Sequence, residues 1–283
     1  MNKQDLIDIV EAFVENSEDN YIGRPIAISE QVVGMKIFEK PIMGIALADD
    51  ALFTYFKTPS IIGQHFMLPH EWLPEAKTVI SFFLPFSEAV KKASRKVVYW
   101  PSAEWLHGRI EGQSFINKLC LHLQAALKSA GYNSLAPSLD RRFWANTGRA
   151  NNSSDLKASF SSNWSERHVA FVCGLGTFGL SKGLITSKGI AGRFGSLLTN
   201  LCIPPDPREY ERFDEYCTMC GICARNCPVN AISIEKGKNH ELCSAFLDRT
   251  AENFEPRYGC GKCQTKVPCE SKIPKSAPNM SVD

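Results

Sequence analysis

The chain has 283 residues, 44% of them hydrophobic and 22% charged, a composition that belongs to a folded globular protein and excludes a disordered one. With 32 basic and 30 acidic residues the formal charge is +2, so no whole-chain field selects nucleic acid or an acidic membrane surface. The opening MNKQDLIDIVEAF mixes acids into its apolar positions, unlike a signal peptide, and apolar runs such as 79–86 are far shorter than the roughly 20 residues of a membrane-spanning helix; a cytoplasmic protein without a membrane segment is expected.

Lys3 to Asn16 sets Leu6, Ile9, Val10, Phe13 and Val14 on one side at helical spacing, which predicts an amphipathic opening helix. Pro41 to Ala48 and Lys77 to Phe86 are short apolar runs bounded by Pro, Asp or charge, and the β-branched and aromatic content of the second predicts buried strands. In YWPSAEWLHGR, Tyr99, Glu104, His107 and Arg109 form a polar and aromatic group that could line a pocket, set against the plainer reading of surface or structural residues. From Glu111 to Ala130 the residues Phe115, Leu119, Leu123, Ala126 and Ala130 recur at three- and four-residue steps. A helix is predicted there, stopped by Gly131, with Cys120 and His122 as structural residues.

Asn163 followed by Glu166 matches a capping box, predicting a helix that runs through Val169 and Phe171 and ends at Gly174. Gly174, Gly176, Gly179, Gly183, Gly189, Gly192 and Gly195 then punctuate strand-like Leu184 to Thr186 and Phe194 to Leu201. Such a density fits tight turns, or backbone that closely approaches a flat ligand. Pro204, Pro205 and Pro207 form a stiff linker before the cysteine-rich segment, which puts a domain boundary near 205. Pro274 and Pro278 with polar neighbours predict a loose tail over 275–283.

Eleven cysteines could mean disulfides in a small secreted chain, but here they concentrate in the last quarter of a larger one, and metal is the better reading. Cys217, Cys220, Cys223 and Cys227 follow the order C-x2-C-x2-C-x3-C-Pro, the bacterial run that binds 4Fe-4S clusters. Structural zinc would call for two knuckles separated by a dozen or more residues. In that run three thiolates serve one cubane while the fourth turns to a second cluster. Cys243, Cys260, Cys263 and Cys269 make the count close at eight. One cluster is therefore assigned to Cys217, Cys220, Cys223 and Cys269, the other to Cys227, Cys243, Cys260 and Cys263. Cys120, Cys173 and Cys202 stand in apolar contexts and are read as structural.

The segment ERHVAFVCGLGTFGLSKGLITSKGIAGRFGSLLTN, followed by CTMCGICARNCPVNAI, an isolated Cys243 and YGCGKCQTKVPCESKIP, resembles the epoxyqueuosine reductases and their relatives the reductive dehalogenases, over roughly residues 77 to 274. The resemblance implies an α/β (α+β) chain: a nitroreductase-like, corrinoid-binding domain over 1–205, then a small ferredoxin-like domain with two 4Fe-4S clusters over 206–274. It implies cobalamin, with Gly174, Leu175, Gly176, Gly179, Gly183, Ile185, Thr186, Gly189, Arg193, Phe194, Gly195 and Ser196 as its contacts, and reduced ferredoxin or flavodoxin as electron donor. Plain turn chemistry is the competing account of those glycines. Two departures stand out. The last motif is C-x2-C-x5-C, where the reductases have C-x2-C-x3-C-Pro, and Ser159 to Trp164 holds no acid where the family has its proton donor, the nearest being Asp155.

Two functions follow. In one, cluster electrons reach a corrinoid that reduces a small electrophilic substrate held near Trp100 and Trp105; in the other, the chain is a ferredoxin-like electron carrier for a partner enzyme. The long region before Cys217 favours the enzyme. The basic run Lys91, Lys92, Arg95 and Lys96 is short, and the chain stops soon after Cys269, where epoxyqueuosine reductases continue into a helical-repeat region that helps hold tRNA. No tRNA substrate is expected.

Overall fold

The computed structural model describes residues 1–146 and 160–275. Both apolar runs expected as strands are strands, and they pair with each other. Ile42–Leu47 lies antiparallel to Thr78–Pro85, with Ile42 opposite Phe83 and Leu47 opposite Thr78. Thr78–Pro85 pairs on its other edge with Gly192–Thr199, which carries the two-residue strand Ser134–Leu135 beyond it. The result is a four-stranded antiparallel sheet.

All eight residues of Thr78–Pro85 are buried, because the sheet is covered on both faces. Alternation along the strand divides its side chains between them. Ile80, Phe82 and Leu84 join Leu6 and Val10 of the Lys3–Asn16 helix and Phe115, Leu119 and Leu123 of the long helix Ala103–Ser129. On the opposite face Val79 packs with Trp164, Val169 and Val172, and Phe83 with Ala170, Leu175 and Leu184. Mixed α/β architecture is thus produced by one long apolar strand that needs cover on two sides.

The long helix begins at Ala103 rather than Glu111, its first turn capped by the Ser102 hydroxyl, which accepts from the Trp105 N–H at 3.2 Å. This start buries Trp105 and His107. Trp105 sits edge-on to Phe86 at 4.9 Å, and Trp100 stacks on Phe246 of the helix His240–Phe254. The aromatic residues expected to enclose a substrate are therefore packing residues. Glu104 lies on the first turn of the helix and Tyr99 packs edge-on to Phe246. His107 accepts from the Ile28 N–H and pairs with Glu111.

The helix expected after Asn163 spans Glu166–Val172, and its cap is Ser165. The capping box is not made. Asn163 is buried, its carbonyl accepting from the Trp144 N–H at 2.9 Å and its amide donating to Arg142 O at 2.8 Å. The proline stretch is not free either: Asp206 accepts from Lys3 Nζ at 2.6 Å and from the Ile45 N–H at 2.9 Å. This fastens it to the sheet's edge strand. The expected tail lies outside the described residues beyond Lys275, as do Asp155 and Ser159.

Candidate metal centre

The first three cysteines of the run are placed by a loop and one turn of helix. Gly221, at φ +70°, takes the left-handed conformation that turns the chain between Cys220 and the short helix Ile222–Arg225, which carries Cys223. Cys217, Cys220 and Cys223 then face one cavity together with Cys269. Its remaining wall is largely apolar and comes from Gly179, Leu180, Ile185, Ile190 and Val267. The Leu180 N–H points at Cys217 Sγ from 3.4 Å, the kind of donor that tunes a cluster sulfur.

Cys269 arrives from far along the chain, and several contacts fix it. Ile190 N–H donates to Cys269 O at 2.9 Å, and Ala191 N–H donates to Glu270 O at 3.1 Å. The buried Glu270 carboxylate accepts from Arg95 Nε at 2.9 and 3.0 Å, and Lys91 Nζ reaches Ser271 at 2.9 Å. The basic run of 91–96 is thus partly spent holding the loop that carries Cys269.

The cysteines of the second set come from three separate stretches and act on one another's thiols. Cys227 accepts from the Ala231 N–H at 3.2 Å, Cys243 rides on the helix His240–Phe254, and Cys260 and Cys263 lie on a loop with Gly259 and Gly261 at positive φ. A side chain at Gly261 would run into Trp105 at 2.1 Å. Lys262 anchors the loop by donating to Ser94 O and Val97 O at 3.1 and 2.7 Å, and burial pulls its pKa down to about 8. Burial raises the Cys263 thiol, with Cys243 and Cys227 adding to it, while Lys238 eases it. Burial also pushes Cys260 up to about 12, with Cys263 and Cys243 contributing. The two sets are near enough for Cys263 to help raise the Cys223 thiol, after burial.

The first set, gathered on one cavity, fits an iron-sulfur cluster. Burial and neighbouring thiols lift Cys223 to about 11 and Cys269 to about 12, and bound iron is what would hold such buried groups as thiolates. Among the described residues no three His, Cys, Asp or Glu are gathered to hold a single metal ion. A cubane asks for something wider, one thiolate at each of four iron corners.

The glycine-rich block packs closely against the protein's own atoms. Gly179 and Ile185 line the cavity of Cys217 and Cys269. The other members meet the chain's own atoms. A Cβ on Gly174 would lie 2.9 Å from Pro207 O, on Gly176 1.9 Å from Ile185 O, on Gly183 2.6 Å from Ile190, on Gly189 2.3 Å from Glu270 O, and on Gly195 2.5 Å from the Phe82 ring. Leu175 is buried, Phe194 packs on Phe83, Thr186 donates to Gly189 O, and Ser196 accepts from Trp164 Nε1. Arg193 reaches Gln113. At these positions the protein itself fills the space a side chain would take, as the turn chemistry of the competing account also requires. Of the three remaining cysteines, Cys120 and Cys173 are buried as expected and Cys202 is exposed.

Sequence reasoning missed Glu166. Both of its carboxyl oxygens are buried without a hydrogen-bond partner. Burial raises its pKa to about 7; the Ser196 hydroxyl, engaged with Trp164, eases this slightly but falls short of hydrogen-bond geometry. The cavity walls Leu180 and Ile190 were missed too, since nothing local marks an apolar residue as facing a cluster.

Residues 210–233, which hold Cys217, Cys220, Cys223 and Cys227, match the family described as a 4Fe-4S binding domain. The fold is similar to that of an epoxyqueuosine reductase crystallised with an epoxyqueuosine-modified tRNA-Tyr stem loop, at 18% identity and a TM-score of 0.54, covering 95% of this chain and 65% of that one. It is also similar to the epoxyqueuosine reductase of Streptococcus thermophilus, at 18% identity and 0.51, over 84% of this chain and 65% of that one. A reductive dehalogenase whose structure suggests a mechanism for B12-dependent dehalogenation shares it at 16% identity and 0.52, over 82% of this chain and 30% of that one. At such identities what is shared is the fold, and this chain spans well short of the full length of each. No curated protein sequence matches.

Proposed function

We propose that the protein is an iron-sulfur reductase in which two 4Fe-4S clusters relay electrons from reduced ferredoxin or flavodoxin to a small electrophilic substrate. The observation that carries this reading is the convergence of Cys217, Cys220, Cys223 and Cys269 on one largely apolar cavity, with Cys227, Cys243, Cys260 and Cys263 left to a neighbouring set. The chain's own residues partly shield seven of the eight sulfurs and leave Cys220 exposed, aim N–H donors at two of the sulfurs, and brace the Cys269 loop through Arg95.

A corrinoid is part of this proposal on the strength of the fold shared with a B12-dependent dehalogenase; when bound it would supply the metal-centred reduction chemistry. Its seat would lie away from the filled glycines. That filling also favours the second reading, in which the chain is an electron carrier for a partner enzyme.

The test begins with iron. Anaerobically prepared protein is expected to hold about eight irons and to absorb near about 400 nm with bleaching by dithionite. Cys269→Ser and Cys243→Ser should each lose about half. Adding Cys217→Ser to the first should remove nothing more, while joining the two should remove nearly all. Zinc in place of iron, or full iron in either single variant, would defeat the cluster assignment. Retention of hydroxocobalamin after desalting separates the reductase from the carrier. A net charge of +2 gives no broad field for a polyanion, so a strain lacking epoxyqueuosine reductase should regain no queuosine from this gene; restored queuosine in its tRNA would overturn the small-substrate reading.

A further inference from the structure

Arg109 and Arg193 lie near one another on the side of the sheet covered by the long helix, close enough for the charge of Arg109 to act on Arg193. Arg109 and Gln113 stand one helical turn apart on that helix, and Arg193, at the partly exposed start of the strand Gly192–Thr199, donates to Gln113 Oε1. The Arg109 guanidinium lies 4.3 Å above the Tyr258 ring. Two like charges are thereby brought together. Neither arginine makes an ion pair with a described carboxylate, and the Nε–H of each is buried with no hydrogen-bond partner. The nearest acid on the same helix is already taken: Glu111 accepts from Arg257 Nη2 at 2.6 Å and from Arg257 Nε at 3.2 Å, and also pairs with His107 at 3.0 Å.

A buried N–H without an acceptor costs free energy, and a second guanidinium charge nearby adds to the cost. Proteins place arginine forks in this way where a planar or tetrahedral oxyanion is to be held by several charged hydrogen bonds. The cluster thiolates do not play that part, because the charges that act on Arg193 are those of Arg109 and Tyr258 and not of any cysteine. Burial and the neighbouring Arg109 both work against the charge on Arg193, with only Tyr258 supporting it. An anion would relieve the first two together.

We propose that Arg109 and Arg193, with Gln113 fixing the second, form a binding site for an oxyanion, the carboxylate or phosphate of a ligand. Two sources share this chemistry, an anionic substrate and the phosphate of a corrinoid's nucleotide tail. The site goes beyond the cluster assignment and does not require that a corrinoid bind.

The experiment uses the full chain with its clusters in place. Inorganic phosphate and benzoate are titrated calorimetrically into the wild type, Arg109→Gln and Arg193→Gln, each checked for unchanged iron content. At least one of the two anions is expected to bind the wild type, and either substitution should weaken it by about tenfold or more, as befits loss of a charged hydrogen bond. Retention of cobalamin and of cobinamide, which lacks the tail phosphate, then separates the sources. Selective loss of cobalamin in Arg193→Gln assigns the site to the cofactor tail; loss of benzoate or phosphate binding with both corrinoids unaffected assigns it to substrate. No binding of either anion to the wild type, or wild-type affinity in both variants, overturns the site. Because the arginines lie on different elements, a folding failure in one variant leaves the other to decide.

Discussion

Glu166 shows how one side chain can set a pH dependence. An exposed carboxyl has an ordinary value of 4.5, whereas in the fold burial raises it to about 7. Between those values the folded chain binds more protons than the unfolded one, so stability declines as pH rises from about 4.5 to about 7 and is level above that. Glu166→Gln keeps the shape and removes the charge. It should gain up to about 3 kcal/mol near pH 8 and little near pH 4, measured by urea unfolding at both; equal stabilities at pH 8 would mean the carboxyl is solvated. The sequence could not reveal this, because a Glu three residues after Asn matches a cap whether its carboxyl reaches back to the chain or turns beneath the helix. Cysteines are more legible, since thiolate spacing is set by the cluster's own geometry rather than by distant packing.

The long helix carries the lesson for elements. Gly108 and Gly112 weaken its pattern on paper, yet they are the points where the Phe86 and Phe38 rings press against it, at 2.9 and 2.8 Å from where a Cβ would stand. In an exposed helix Gly→Ala would gain about 1 kcal/mol. Here Phe38 is stacked on Phe86 and tilted against Phe115, so its ring cannot yield cheaply. Gly112→Ala should therefore destabilise by about 1–2 kcal/mol through overpacking, and a rise in melting temperature would contradict it. The strands and the first helix were readable because their apolar period matches their burial. The glycine-rich block was readable only as backbone in close approach; which atoms approach it, here Ile185 O, Glu270 O and Phe82, depends on segments far away in the chain.

For the whole molecule, the decisive contacts join distant stretches. Arg95 holds the buried Glu270 beside Cys269, and Arg257 holds Glu111. Arg95→Ala would leave the buried Glu270 carboxylate without its ion-pair partner and with only the Lys266 N–H to hold it, at a cost of about 3 kcal/mol. Iron should then be lost faster to a chelator from the Cys217 and Cys269 set than from the other; equal rates from both would show the brace to be idle. Nothing in the sequence pairs Arg95 with Glu270, because the pairing exists only once the sheet and the cysteine loops are both formed. The two backbone bonds from Ile190 and Ala191 to Cys269 and Glu270 extend this coupling to isotope exchange. Those two amides should be slow to take up deuterium while iron is bound. Removing the metal frees the 269–270 carbonyls to leave, so the 190 and 191 amides become a local clock for the state of a centre whose other ligands are more than twenty residues further along the chain.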